Sequence, residues 1–412
     1  MNIPMQTKGE AVRMAAKSFL EQYLPSLYTC IKCRGCMSSS GEAKPVCPMA
    51  ERYRFFSYSA GGMVALARSI YEGELNWGTE LAEVIYNCTM CGACAEQCRN
   101  IYYLTNEYFN VPYLVEKMRE ELVEQGKIPP VVRDYLKSVD LYGNPYQISS
   151  NKRGRWTEEA GIPLFSGQEF LFYVGDEGSF DERGIAIAQT VGILLKDYVS
   201  VGILGDKEIS DGNEVKALGE SGLFEVLVGR NTEKFKKLGV RKIVTLSPHG
   251  YNAIKNEYSK RGGDFQVMHY TQLLEKLIDE GRFTFSGLKT TVTYHDPCYL
   301  GRHNHEYETP RKILKSIPGL ELIEMKSVKE EAFCCGGGGG NFFTSMLGND
   351  ANSPGRIRVR QAYETRAKVL AVACPVCAKM LGDAVKDEGL DDKLQVKDIA
   401  EIVNEANKGE MK

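Results

Sequence analysis

Apolar residues recur at helical spacing through the first third of the chain. Val12, Ala15, Ala16, Phe19, Leu20, Tyr23 and Leu24 share one face of a helix over residues 10–24, which Pro25 is expected to stop. Leu66, Ile70, Leu81, Val84 and Ile85 mark a helical stretch over 61–86, and further helices are expected over 112–126 and 130–138. Nothing in this part reads as a strand, so residues 1–140 are expected to form a helical domain. Residues 141–168 mix Gly, Pro, Ser, Asn and charge and read as a linker. Beyond them short apolar runs alternate with helical ones. Phe170–Val174, Val199–Leu204, Lys242–Leu246, Thr291–Tyr294 and Val369–Ala373 read as strands; Ile185–Leu195, Thr232–Lys237 and Leu273–Ile278 read as helical. That alternation predicts α/β architecture with mainly parallel sheets.

The second part also repeats itself. Arg241 to Gly250 and Lys368 to Cys377 are each an apolar strand running into an X-Pro-X-X turn, and the alignment sets Ser247 and Gly250 against Cys374 and Cys377. In the same register Ser210-Asp211-Gly212 stands where Cys334-Cys335-Gly336 does, and Asp176 where Cys298 does. Three matches in register argue for duplication. The expected fold class is therefore multidomain α plus α/β, a helical domain followed by two duplicated lobes over 169–285 and 286–412.

Charge narrows the function classes. The net charge is -3 across 412 residues, with no basic field to attract nucleic acid. No signal peptide is visible at the N-terminus, and no run reaches the roughly 20 apolar residues that span a bilayer. The chain reads as cytoplasmic, meeting a membrane only through a partner subunit.

The thirteen cysteines carry the chemistry, and none lies between Arg99 and Pro297. Such clustering suits metal ligation rather than a disulfide framework. Cys88, Cys91, Cys94 and Cys98 have bacterial ferredoxin spacing, apart from Arg99 where proline is usual. Three thiolates in one tight loop wrap a corner of a [4Fe–4S] cubane, whereas zinc prefers separated pairs. Cys30, Cys33 and Cys36 repeat the triplet, with Cys47 delayed by the insert MSSSGEAKPV. Crossed ligation would put Cys30, Cys33, Cys36 and Cys98 on one cluster and Cys88, Cys91, Cys94 and Cys47 on the other; the alternative leaves Cys47 with its own triplet, or free. Cys298, Cys334, Cys335, Cys374 and Cys377 supply a third site. Adjacent cysteines do not grip one metal comfortably, so this site suggests a cluster with more than one iron, zinc being the other reading. The run Gly336 to Gly340 allows a sharp turn or close approach; it lacks the lysine of a phosphate loop.

Around these motifs His295, His303 and His305 are candidate proton donors, although His295 and Asp296 also suit a purely geometric role. Arg302 is placed to meet an acidic substrate or offset a negative cluster. Tyr53, Tyr58, Tyr86, Tyr102 and Tyr103 are expected to pack around the cubanes and exclude water.

Taken together, Cys298, the Cys334-Cys335-Gly336 motif and the Cys374–Cys377 pair resemble the cysteine-rich CCG domain of heterodisulfide reductase B and D subunits and of related lactate, glycolate and glycerol-3-phosphate oxidoreductase subunits. With the two-cluster helical domain ahead, nearly the whole chain resembles a D-type subunit. The resemblance implies that Cys298, Cys334, Cys335, Cys374 and Cys377 hold a noncubane [4Fe–4S] cluster. It implies an oxidoreductase subunit that passes electrons through two cubanes to a site acting on a disulfide or thiol, fed by a flavoprotein, a ferredoxin-type protein or a membrane cytochrome subunit. The first lobe lacks the thiols for a second such cluster. That favours an alternative: a relay between a flavoprotein and another enzyme, such as an anaerobic acyl-CoA or aromatic-ring reductase. A redox-sensing or structural metal-binding protein is a third class.

Overall fold

A computed structural model describes residues 19–38, 44–98, 101–102 and 107–408. The first region is helical. Its main elements are α1 (Ala60–Glu72), α2 (Thr79–Tyr86), α3 (Val111–Glu124) and α4 (Pro130–Tyr142). The stretch expected as one helix over 61–86 is two, because Gly73 adopts φ +80° and closes α1. Pro25 does not simply end a helix. It sits in the first turn of Leu24–Thr29, where its missing N–H costs nothing; residues 10–18 of the expected helix lie outside the described residues. Ile101–Tyr102 and Glu107–Tyr108 form a short antiparallel ladder that was not expected. Two residues per strand leave no periodicity to read.

The expected duplication is present in the topology. The first lobe contains β1 (Phe170–Tyr173), α5 (Glu182–Lys196), β2 (Val201–Gly202), α6 (Ser221–Lys237), β3 (Lys242–Thr245), β4 (Gln266–His269) and α7 (Tyr270–Asp279). The second contains β5 (Thr290–Tyr294), α8 (Glu308–Ser316), β6 (Leu320–Leu322), α9 (Pro354–Glu364), β7 (Val369–Val372), α10 (Pro375–Asp387), β8 (Gln395–Asp398) and α11 (Ile399–Lys408). The sheets run β2-β1-β3-β4 and β6-β5-β7-β8, all parallel, with the same strand order. All four residues of β1, and all four of β7, are buried. Helices cover both faces of such strands, so an unbroken apolar run suits them better than alternation.

The stretch 141–168 takes part in the packing. Trp156 and Ile162 enter one core cluster and Phe165 the other. That second cluster joins α1 to α4 with the first lobe, through residues such as Leu114, Met118, Val215 and Phe224. At this seam Gly219 is so close to α3 that a Cβ would lie 2.4 Å from the Arg119 carbonyl carbon. The helical region and the lobes are thereby held at fixed distance, which sets the spacing of the cysteine sites. Among the described residues no helix is long and apolar enough to cross a membrane.

Candidate metal centres

The N-terminal thiols stand at element ends. Cys30 ends the helix Leu24–Thr29, and Cys47 caps Pro48–Tyr53, its sulfur accepting from Ala50 N at 3.5 Å. Gly92, at φ +76°, turns the loop after Cys91 into the short helix Ala93–Gln97, which carries Cys94 and ends at Cys98. Each motif has sulfurs of the other among its neighbours. Burial pushes the Cys36 thiol up to about 11, and the neighbouring sulfurs of Cys30, Cys98 and Cys33 add to this. Burial likewise raises Cys47, whose sulfur neighbours are Cys91 and Cys88. Cys94 is raised by burial and then by Cys88, Cys91, Cys47 and Cys36. One cavity is lined by Cys30, Cys33, Cys36, Cys94 and Cys98, with Phe56, Val64, Phe109 and Val111 as its apolar walls. Cys33 is the exposed member.

The C-terminal thiols gather where ligands collect in open α/β sheets, beyond the carboxyl ends of the strands. Cys298 follows β5; Cys374 follows β7 as the cap of α10, and Cys377 lies in that helix's first turn. Their sulfurs form a connected line. Cys298 and Cys91 pack with Cys334 in one cluster, Cys334 neighbours Cys335, Cys335 is 3.4 Å from Cys377, and Cys377 neighbours Cys374. All five are buried. Soft thiolates in this number exceed the four ligands of a structural zinc and suit an iron–sulfur centre. A second observation fits the same group. Arg302 Nη2 is buried with no hydrogen-bond partner, beside the sulfurs of Cys91, Cys298 and Cys334. A negatively charged cluster held here would supply the acceptor that this N–H lacks.

The glycine run explains how the two regions meet. A Cβ on Gly338 would lie 2.7 Å from the Thr89 carbonyl oxygen, and one on Gly339 2.5 Å from that of Cys88. The run is therefore packed against the ferredoxin-type loop. Arg119, fully buried on α3, locks the loop further. It donates to the carbonyls of Ile85 and Tyr86 at 3.1 Å, of Cys88 at 2.6 Å and of Ala217 at 2.6 Å.

His295 is buried, and its Nδ1 accepts from Arg358 Nε at 3.1 Å. Burial, then the Arg358 charge, holds its pKa well below the usual value, so the ring is neutral. Its ligand nitrogen and the sulfurs of Cys335 and Cys377 all lie within 4.8 Å of one another. Asp296 instead anchors the turn, accepting from Arg311 at 2.6 and 3.0 Å and from Lys329 N at 2.9 Å. His303 is bonded to the Met90 carbonyl at 2.9 Å and pushed down to about 4, chiefly by burial. His305 is exposed and is not drawn into the cluster. Tyr53 and Tyr58 stack at 4.0 Å, with Tyr53 OH donating to Asn87, and Tyr86 OH donates to Leu218 O. The side chain of Tyr102, and all of Arg99 and Tyr103, lie outside the described residues.

In the first lobe, charged groups replace thiols. Arg153 is ion-paired with Asp176 and, at 2.8 Å, with Glu208, and Ser210 neighbours Asp176. Asp211 Oδ1 accepts from Asn213 N, and Ser247 Oγ from His249 N. Sequence reasoning missed Arg119, Glu214 and His249. Arg119 left a faint signal, a charge three or four positions from Val115 and Leu122 on an apolar face. His249 lies in the run Ser247-Pro-His249-Gly-Tyr-Asn, which resembles the same CCG-containing group, but the sequence attached no role to it.

A family model described as "4Fe-4S dicluster domain" matches residues 26–101, and one described as "Cysteine-rich domain" matches 292–382. The chain is 32% identical to "Probable iron-sulfur-binding oxidoreductase FadF" of Bacillus subtilis, over 94% of this chain and 61% of that protein. It is 36% identical to "EtfAB:quinone oxidoreductase" of Syntrophomonas wolfei, over 78% of this chain and 46% of that one. The chain thus spans less than two thirds of these two curated relatives. Against the D-type subunit of the dihydromethanophenazine:CoB--CoM heterodisulfide reductase of Methanosarcina barkeri it is 29% identical, over 95% of this chain and 96% of that one. With a dicluster domain ahead of a cysteine-rich domain, the chain is similar over nearly its whole length to the D-type subunits of heterodisulfide reductase, which supports a heterodisulfide reductase D-like iron–sulfur protein.

Proposed function

We propose that this chain passes electrons along three centres in line. Cys30, Cys33, Cys36 and Cys98 hold the outer [4Fe–4S] cubane, and Cys88, Cys91, Cys94 and Cys47 the inner one. Cys298, Cys334, Cys335, Cys374 and Cys377 hold a noncubane [4Fe–4S] cluster that acts on a disulfide or thiol. The observation that carries this reading is the contact of Cys91 with Cys334, which joins the inner cubane's ligands to the third site. When bound, the clusters supply one-electron transfer. The protein's own part is to fix their spacing, exclude water and place His295 at the sulfurs. As a neutral imidazole that accepts at Nδ1, His295 has its other nitrogen left as an N–H that can donate a hydrogen bond to a sulfur of the site. Partner subunits such as a flavoprotein, a ferredoxin-type protein or a membrane cytochrome would exchange electrons at the outer cubane, where Cys33 is exposed.

A second reading is a relay with no substrate of its own, between a flavoprotein and another enzyme. The burial of all five thiols and the ion pairs filling the first lobe favour it. The relative whose name pairs EtfAB with quinone agrees with it.

Iron and labile sulfide on anaerobically purified protein test the common part: about twelve irons per chain support three clusters, and about eight refute the third. Viologen-driven reduction of small disulfides then separates the readings. Turnover that Cys335→Ser abolishes supports the disulfide site. No turnover, with fast exchange to a flavoprotein, supports the relay.

A further inference from the structure

The first lobe has lost its thiols, yet it keeps a buried charged pair at the second lobe's site. Glu214 Oε1 is bonded to His249 Nδ1 at 2.6 Å and accepts from Asn213 Nδ2 at 2.9 Å. Glu214 Oε2 accepts from the backbone N–H of Gly340, at the end of the glycine run. The other polar neighbour of the His249 ring is the sulfur of Cys374, and since Nδ1 is engaged by Glu214 the second ring nitrogen is left for that sulfur. Tyr299 covers the ring, centroids 4.3 Å apart, directly after Cys298 in sequence. Glu214, His249, Asn213 and Tyr299 are all more than nine-tenths buried.

In the repeat, His249 occupies the place of Val376, an apolar residue packed beside Gly337. An imidazole and a carboxylate are costly to bury, and replacing such pairs by apolar residues is often neutral or stabilising. What the pair does touch is one sulfur of the third site and the backbone that carries Cys334 and Cys335.

We infer that His249, oriented by Glu214, is a positioning residue for the five-cysteine centre: it donates a hydrogen bond from the first lobe to Cys374 and sets that centre's potential. The first lobe, no longer holding a cluster, thereby serves the cluster of the second. A donor to a ligating sulfur stabilises the electron-rich state and raises the potential. Glu214 fixes the ring orientation, as carboxylates do for metal-bound histidines. This inference rests on the third-centre reading proposed above.

The test is a redox titration followed by electron paramagnetic resonance, with iron counted in parallel, on wild type, His249→Leu and His249→Gln. A side-chain N–H is lost in the first variant and kept in the second. The expected result is a lower midpoint for the third centre in His249→Leu, with both cubanes unmoved and His249→Gln close to wild type. Loss of the third centre's iron in His249→Leu alone, with His249→Gln loaded, supports the same conclusion. An unmoved third midpoint in His249→Leu overturns it. So does loss of that iron in both variants, which would make ring shape rather than donation the requirement, and so does an equal shift at all three centres. About eight irons in the wild type would overturn the third-centre reading itself; about twelve irons with an unmoved midpoint would overturn only the role of His249.

Discussion

Arg302 Nε donates a 2.7 Å hydrogen bond to the carbonyl of Cys91, 211 positions away in sequence, and so ties the cysteine-rich domain to the ferredoxin-type loop. Its Nη1 donates at 2.7 Å to Ala332 O, just ahead of Cys334-Cys335. One buried guanidinium therefore grips the backbone beside both sets of thiols. Two of its nitrogens are thereby engaged by backbone carbonyls, and Nη2, without a hydrogen-bond partner, stands beside the sulfurs of Cys91, Cys298 and Cys334.

Arg302→Gln should cost on the order of 2–4 kcal/mol, because it leaves two buried carbonyls unpaired. A lower unfolding temperature under anaerobic conditions is the readout. Loss of the cation should also lower the potentials of the inner cubane and the third centre together, leaving the outer cubane in place. A variant as stable as wild type would show that the carbonyls find other donors.

Gly339 and Gly126 make a controlled pair. Both adopt φ +65°, but nothing lies within 4 Å of a Cβ on Gly126, whereas a Cβ on Gly339 meets Cys88 O at 2.5 Å. Gly126→Ala should cost about 1 kcal/mol, the backbone penalty alone. Gly339→Ala should cost clearly more and push the ferredoxin-type loop away from Cys334-Cys335. Stopped-flow reduction should then slow at the third centre and not at the cubanes. Equal stability of the two variants would sink this account.

The cysteine spacing made the site legible because ligand geometry is local: three thiols in seven residues leave few alternatives. The strands were legible for a similar reason, since buried parallel strands such as Phe170–Tyr173 are unbroken apolar runs. The break at Gly73 was hidden because one glycine inside an apolar pattern reads as tolerated. The Arg119 clamp and the Glu214–His249 pair were hidden for a different reason. Their partners are carbonyls and a sulfur contributed by distant segments, and only tertiary packing brings those together.

Arg153 offers a test of the altered first lobe. It is the cation for two buried carboxylates, Asp176 and Glu208, in the region where the second lobe keeps its thiols. Arg153→Met should destabilise by about 3–5 kcal/mol, the usual cost of orphaning a buried charge. The triple change with Asp176→Asn and Glu208→Gln should recover much of this, as the unpaired charges go with it. Denaturant midpoints at neutral pH decide the matter; failure of the triple variant to recover would assign the loss to packing of the Arg153 stem.

Glu177 makes the protein's stability depend on pH in a stated direction. Burial, then the neighbouring Asp176, raises its pKa from 4.5 to about 8. The folded state therefore keeps a proton that the unfolded chain releases at lower pH. Between those values the unfolded state binds fewer protons, so this group's contribution is full below 4.5 and falls as pH rises toward about 8. Glu177→Gln mimics the protonated form and removes the dependence. The unfolding temperature of the variant relative to wild type should climb steadily between about pH 5 and 8, because the contributions of Glu208 and Asp211 are common to both. A difference that stays flat over that range would mean that Glu177 ionises normally in the folded protein, with water reaching its carboxylate.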